Sequence, residues 1–200
     1  MPTAVQELPS RLPPYPVHRW SVAEYLQLAK LGFLGEDDQI ELLEGWPVKK
    51  MTKNPLHDGT VDQINLLLGS RLPRGWYLRV QNVVVTNDSA PEPDLAIVRG
   101  QPKNYRERHP SPADVALVIE VADTSVAKDL EKRRLYARAG ITNYWLVNLL
   151  KRQLEVFADP DGEEDDADYL RHETLGTRHK VSLRIPGCRE FKLSVAELFV

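Results

Sequence analysis

The chain has 200 residues, 42% of them hydrophobic and 28% charged, which suits a globular domain with a full core. Its formal charge of -3 excludes a protein that coats nucleic acid by bulk charge, although a local basic patch remains compatible with it. The lone cysteine, Cys188, excludes an intrachain disulfide and any zinc site built from several cysteines, and it fits a cytoplasmic location.

Residues 1–16 carry Pro2, Pro9, Pro13, Pro14 and Pro16 and read as an irregular arm ahead of one domain over 17–200. The N-terminus lacks the charged-then-apolar pattern of a signal peptide. No apolar run approaches the roughly 20 residues of a membrane helix. "SVAEYLQLAKLG" (21–32) opens with a capping box, serine followed by glutamate three positions on, and Gly32 ends the helix it predicts. "QIELLEGWPVKKM" (39–51) reads as two short strands around Glu44-Gly45. "HDGTVDQINLLLGSRL" (57–72) sets Val61, Ile64, Leu67, Leu68 and Leu72 at helical spacing.

"WYLRVQNVVV" (76–85) reads as a strand, "NDSAPEP" (87–93) as a turn-rich loop and "DLAIV" (94–98) as a short buried strand. A loop to about residue 112 carries Lys103, Arg106 and Arg108. "DVALVIEV" (114–121) is a strand, "SVAKDLEKRRLYARAG" (125–140) a helix capped by Ser125 and ended by Gly140, and "NYWLVNL" (143–149) another buried strand paired with "QLEVFA" (153–158). "DPDGEEDDAD" (159–168) is a solvated acidic hairpin tip, because its oxygens lack the alternation and closing glutamate of a calcium loop. "YLRHETL" and "KVSLRI" extend the β region, and "SVAELF" (194–199) predicts a short terminal helix. The central order is therefore α-β-β-β-α-β, a mixed α/β (α+β) core.

Glu120 sits inside the apolar run "LVIEV", where an unpartnered carboxylate costs several kcal/mol. Asp94 opens one buried strand and Glu120 lies near the end of a following one. If these strands are antiparallel neighbours, both carboxylates meet at one end of the sheet, where they repel unless a proton or a cation sits between them. Magnesium, which takes one or two carboxylates plus phosphate and water, satisfies that need; a structural ion pair to a buried Lys or Arg also satisfies Glu120. On the next helix Asp129, Lys132 and Tyr136 share a face at i, i+3 and i+7, so Lys132 is placed to reach back to the pair. The alternative is that Lys128, Lys132, Arg133, Arg134 and Arg138 together form a solvated face, with loose phosphate contacts also open to Arg133 and Arg134. Tyr136 and Trp145 read as core, and Cys188 as a structural thiol.

These residues resemble the PD-(D/E)xK nuclease superfamily: "PD" at Pro93-Asp94 and Glu120 match its two half-motifs within the same core order. More closely, "ELLEG" (41–45), His57, "PDLAIV" (93–98), "LVIEV" (117–121), "DLEKRRLYARAG" (129–140) and "NYWLVN" (143–148) are similar to a large bacterial family of small restriction-endonuclease-like proteins of unknown biological role. The match covers roughly residues 20–185. The superfamily's simplest pattern places a lysine two residues after the glutamate; here Ala122 stands there, and the resemblance moves the lysine to Lys132. If Lys132 points away, the site binds metal yet cuts weakly.

The resemblance implies a restriction-endonuclease-like fold, a central mixed sheet flanked by helices, and metal-assisted hydrolysis of DNA phosphodiesters. Asp94, Glu120 and the carbonyl of Val121 would hold Mg2+ (or Mn2+), Lys132 would position water or offset charge, and Glu41 would support the site. His57 is either an accessory ligand or proton shuttle, or a polar cap. DNA is the implied partner, with a homodimer to cut both strands and no membrane. Two other readings stay open: a degenerate nuclease fold acting as a nucleic-acid-binding or interaction module, and a metal-free carboxylate pair for glycoside hydrolysis.

Overall fold

The computed structural model describes residues 15–50, 53–123, 126–163 and 166–200. Most of the proposed N-terminal arm, the Ser125 cap and the side chain of Lys128 lie outside the described residues. Among the described residues three α-helices, α1 (Val22–Lys30), α2 (Pro55–Gly69) and α3 (Val126–Arg138), accompany ten strands: β1 (Ile40–Leu43), β2 (Trp46–Lys49), β3 (Trp76–Val80), β4 (Leu95–Arg99), β5 (Val115–Ala122), β6 (Asn143–Asn148), β7 (Gln153–Asp161), β8 (Asp168–Gly176), β9 (Lys180–Leu183) and β10 (Phe191–Ser194).

Six strands form the central sheet in the order β3-β4-β5-β6-β7-β8. β4 and β5 are antiparallel, with Leu95 opposite Ile119. β5 and β6 are parallel, with Glu120 opposite Leu146, and α3 makes the crossover between them. All eight residues of β5 are buried, because helices and hairpins cover both faces. On one face Ile97, Leu117, Ile119, Val121 and Trp145 pack against Val61, Ile64 and Leu68 of α2 and against the β9–β10 hairpin. On the other, Val98, Val118 and Leu146 pack against Leu135 and Tyr136 of α3. Each such side chain contributes about 1.5–3 kcal/mol when fully buried. Glu120 alternates with Ile119 and Val121, so it shares the α3 face with Val118.

The local signals explain most boundaries. Ser21 and Glu24 form the expected capping box of α1, whose Tyr25 packs on Leu42 and Ala90. The β1–β2 turn places Glu44 and Gly45 both at positive φ, the geometry a two-residue hairpin requires. α2 starts two residues before the expected His57: Asn54 caps it and Pro55 occupies the first turn, where its missing N–H costs nothing.

Two expectations are corrected. The 76–85 strand ends at Val80, because Gln81 turns to φ 51 and donates its N–H to the Asp94 carbonyl at 3.0 Å. Beyond it the Val84 and Val85 N–H groups bond to Pro91 and Pro110, which lie in loops and not in the sheet. The terminal helix is a single 3-10 turn, Val195–Leu198. Among the described residues no helix is long and apolar enough to cross a membrane.

Candidate functional site

Asp94 and Glu120 meet at one end of the sheet because their strands are antiparallel neighbours. The Asp94 N–H donates to Glu120 Oε2 at 3.2 Å, and the Val121 N–H donates to Asp94 Oδ2 at 2.9 Å. Both carboxylates are buried, 7% and 3% exposed. Each is thus anchored by the backbone of the other's strand, so their separation is set by the sheet register and not by side-chain rotamers.

From the α3 side, Lys132 Nζ lies 3.1 Å from Glu120 Oε1 and 3.0 Å from Glu41 Oε2. Lys132 therefore points into the site, not away from it. Glu41 comes from β1 and is 1% exposed; its Oε2 also accepts the Glu92 N–H at 3.3 Å. Glu92 in turn pairs with Lys50 at 2.6 Å. The Tyr136 hydroxyl donates to Glu120 Oε1 at 3.1 Å. Asp129, on the same helical face, is buried, and its carbonyl accepts the Tyr144 hydroxyl at 2.8 Å.

From the α2 side, His57 Nε2 sits 3.1 Å from Asp94 Oδ2 and Nδ1 3.2 Å from Asp58 Oδ1. Its ring is thus held between two carboxylates, while Asn54 takes the capping role. Asn54 also donates to Asp123, tying the start of α2 to the end of β5. Lys53 Nζ stands 4.0 Å from Asp94 Oδ1, and that oxygen accepts no hydrogen bond from any described residue.

Burial drives the electrostatics. It pushes the Glu120 carboxyl up to about 8, against the pull of Lys132 and with help from Asp94. Burial alone would lower Lys132, yet the Glu120 and Glu41 carboxylates hold its ammonium above the ordinary lysine value. A neutral Glu120 would not hold Lys132 up by itself. Glu41 resolves the conflict: one ammonium is shared by two acids, so Lys132 stays charged while the Glu120 carboxyl is raised. For Asp94, burial is the largest single influence and raises its carboxyl, but the His57 hydrogen bond and charge, the Val121 N–H and the Lys53 charge together outweigh it and hold the carboxyl below the usual aspartate value. His57 is lowered by burial but raised further by Asp94, so its net direction is upward.

The donor set suits a hard cation held sparsely. Among the described residues Asp94 Oδ1 accepts no hydrogen bond, Glu120 lies beside it, and the Val121 carbonyl faces the same strand edge as the Val121 N–H that reaches Asp94. Among the described residues no three His, Cys, Asp or Glu side chains gather into an all-protein metal cage. Two carboxylates and a carbonyl, completed by water and phosphate, are a magnesium pattern.

The basic face of α3 is less solvated than expected. Arg133 pairs with Asp168 at 2.6 Å and lies over the Phe157 ring, and Arg138 bridges Glu44 and Asp88, at 2.9 Å to each. Tyr136 is core, fully buried, but its hydroxyl also serves the site. Its position four residues after Lys132 was the available signal. Lys53 and Glu92 carried no such signal, because loop geometry alone brings them here.

Among curated proteins, none matches this chain. Of solved structures, one similar to it is the crystal structure of "a putative nuclease belonging to DUF820" from Anabaena variabilis, with a TM-score of 0.65 and 15% identity over 92% of this chain and 98% of that one. That likeness establishes the fold, a central mixed sheet flanked by helices. The model of the Uma2 family, described as "Putative restriction endonuclease", matches residues 22–196, so the carboxylates, the lysine and the sheet that aligns them lie within its span, and the chain belongs to that family.

Proposed function

We propose that this chain is a divalent-metal-dependent endonuclease that hydrolyses DNA phosphodiester bonds. The observation that carries the reading is the convergence of Asp94 and Glu120 from adjacent antiparallel strands, with Lys132 directed at the same point. Asp94, Glu120 and the Val121 carbonyl would hold Mg2+ or Mn2+. When bound, such an ion polarises the scissile phosphate and acidifies a water.

The chain's own residues supply the rest. Lys132 offers a fixed positive charge beside the phosphate, and Glu41 holds the Lys132 ammonium in place. Tyr136 orients the Glu120 carboxylate through its O–H. His57 orients Asp94 and stands ready to exchange a proton at Nε2. A homodimer with one site per strand suits cutting of a duplex.

A second reading, a fold that binds nucleic acid or a partner without cutting it, draws on one observation: Lys132 is 6% exposed and already shared by two carboxylates. One experiment separates the two. Plasmid and single-stranded DNA are incubated with magnesium or manganese and the parent, Asp94→Ala, Glu120→Ala or Lys132→Ala. Metal-dependent cutting lost in all three variants supports the nuclease; cutting that survives in them places the chemistry elsewhere. No cutting by the parent, with metal binding that Asp94→Ala removes, supports the second reading.

A further inference from the structure

A cleft of about 450 Å3 adjoins the carboxylate centre. Leu26 and Ala29 of α1, with Leu34 and Val83, give it an apolar wall; Lys53 and Gln81 lie on its polar side. Lys53 connects it to the site, since its Nζ is 4.0 Å from Asp94 Oδ1.

Gln81 is the unusual member. Its backbone is left-handed at φ 51, a conformation that disfavours any side chain other than Asn or Asp, and glycine adopts it freely. Its N–H is pinned to the Asp94 carbonyl at 3.0 Å. Gln81 is half-buried and lines the cleft, and its side-chain amide makes no hydrogen bond to any described residue. A second glutamine on the same cleft, Gln39, is also left-handed, at φ 50. Backbone strain of this kind collects at binding sites, where a side chain is wanted despite its cost.

We propose that this cleft receives the nucleobase next to the scissile phosphate, out of the helical stack, and that Gln81 reads it. The inference rests on the nuclease reading above. An apolar wall takes the face of a base. A carboxamide offers one donor and one acceptor, which matches the N6 and N7 edge of adenine. Lys53 meets the adjoining phosphate. Because Gln81 is hydrogen-bonded to the backbone of Asp94, the base it reads sits at a fixed offset from the cut, and the preference appears at one flanking position.

The test is sequencing of the ends produced when the full chain, with manganese, cuts a pool of single-stranded oligodeoxynucleotides randomised in sequence. Gln81→Gly removes the amide while relieving the left-handed backbone, so loss of the fold does not explain its effect, and thermal melting checks this. Gln81→Asn keeps a shorter amide. The parent is expected to favour adenine at one position beside the cut by roughly tenfold. Gln81→Gly is expected to flatten that preference, and Gln81→Asn to weaken it.

A parent that cuts with no flanking preference, or a preference unchanged in Gln81→Gly, overturns the cleft assignment and leaves the nuclease intact. If the parent cuts nothing, the nuclease reading falls, and fluorescence anisotropy with labelled oligo-dA and oligo-dC in calcium decides the cleft by itself. Tighter binding of oligo-dA that Gln81→Gly abolishes supports it; equal binding, or none, overturns it.

Discussion

Lys132 Nζ lies 3.1 Å from Glu120 Oε1, joining α3 to β5 through two buried ionisable side chains. The pair is stable because Glu41 adds a second carboxylate at 3.0 Å and Tyr136 a hydroxyl at 3.1 Å. A buried charge is tolerable only when its hydrogen-bonding capacity is filled in this way. The arrangement serves structure and chemistry together, so the site's residues are also stability determinants.

Lys132→Met is expected to destabilise the fold by about 3–5 kcal/mol, since it leaves Glu41 and Glu120 buried without their shared cation. The double variant Lys132→Met/Glu41→Gln should recover part of the loss, because the two residues are coupled. Urea denaturation measures both. A single variant within about 0.5 kcal/mol of the parent would mean that Lys132 is dispensable to the fold.

Divalent-metal affinity is expected to rise with pH. Burial sets the Glu120 carboxyl at about 8, and a metal binds only its ionised form, so the metal must displace a proton below that pH. Titration calorimetry between pH 6 and 9 should show affinity increasing up to about tenfold per unit below that value, then levelling, with proton release on binding. Affinity that is flat across this range would remove Glu120 from the ligand set.

Tyr136→Phe deletes the hydroxyl that steadies Glu120 and should cost about 1 kcal/mol of stability. The lost hydrogen bond favoured the carboxylate, so the carboxyl should titrate still higher. The rising limb of the cleavage pH profile should therefore move upward. A profile that stays in place while stability falls would confine Tyr136 to packing.

Away from the site, the Arg108 hydrogen bond lowers Asp114 to about 2, with help from the Ser111 backbone. A depressed acid stabilises the fold above its unfolded value of about 3.9 and loses that contribution as pH falls toward 2. Asp114→Asn should therefore show a deficit of about 0.2–1 kcal/mol at pH 7 that shrinks between pH 4 and 2, its partner Arg108 being exposed. Chemical denaturation across that range checks it; a deficit that grows on acidification would contradict the assignment.

Hydrophobic periodicity, caps and turn residues carried the element order α-β-β-β-α-β, the capping box at Ser21 and Glu24, and the two-residue turn at Glu44 and Gly45, because these are local backbone effects. The buried Glu120 was legible for the same reason: its neighbours left no doubt that the strand was covered on both faces. Tertiary structure decided what local pattern does not encode. Only the antiparallel register of β4 and β5 set the Asp94 N–H on Glu120, and only the packing of α3 on that face turned Lys132 inward to reach Glu41, 91 residues earlier in the numbering. The end of β3 at Gln81 escaped the sequence too, since "QNVVV" is good strand material and the bond from Gln81 to the Asp94 carbonyl is a contact between segments. Propensity acts over a turn or two of chain, whereas the site is assembled by contacts between elements whose spacing along the sequence bears no relation to their spacing in the fold.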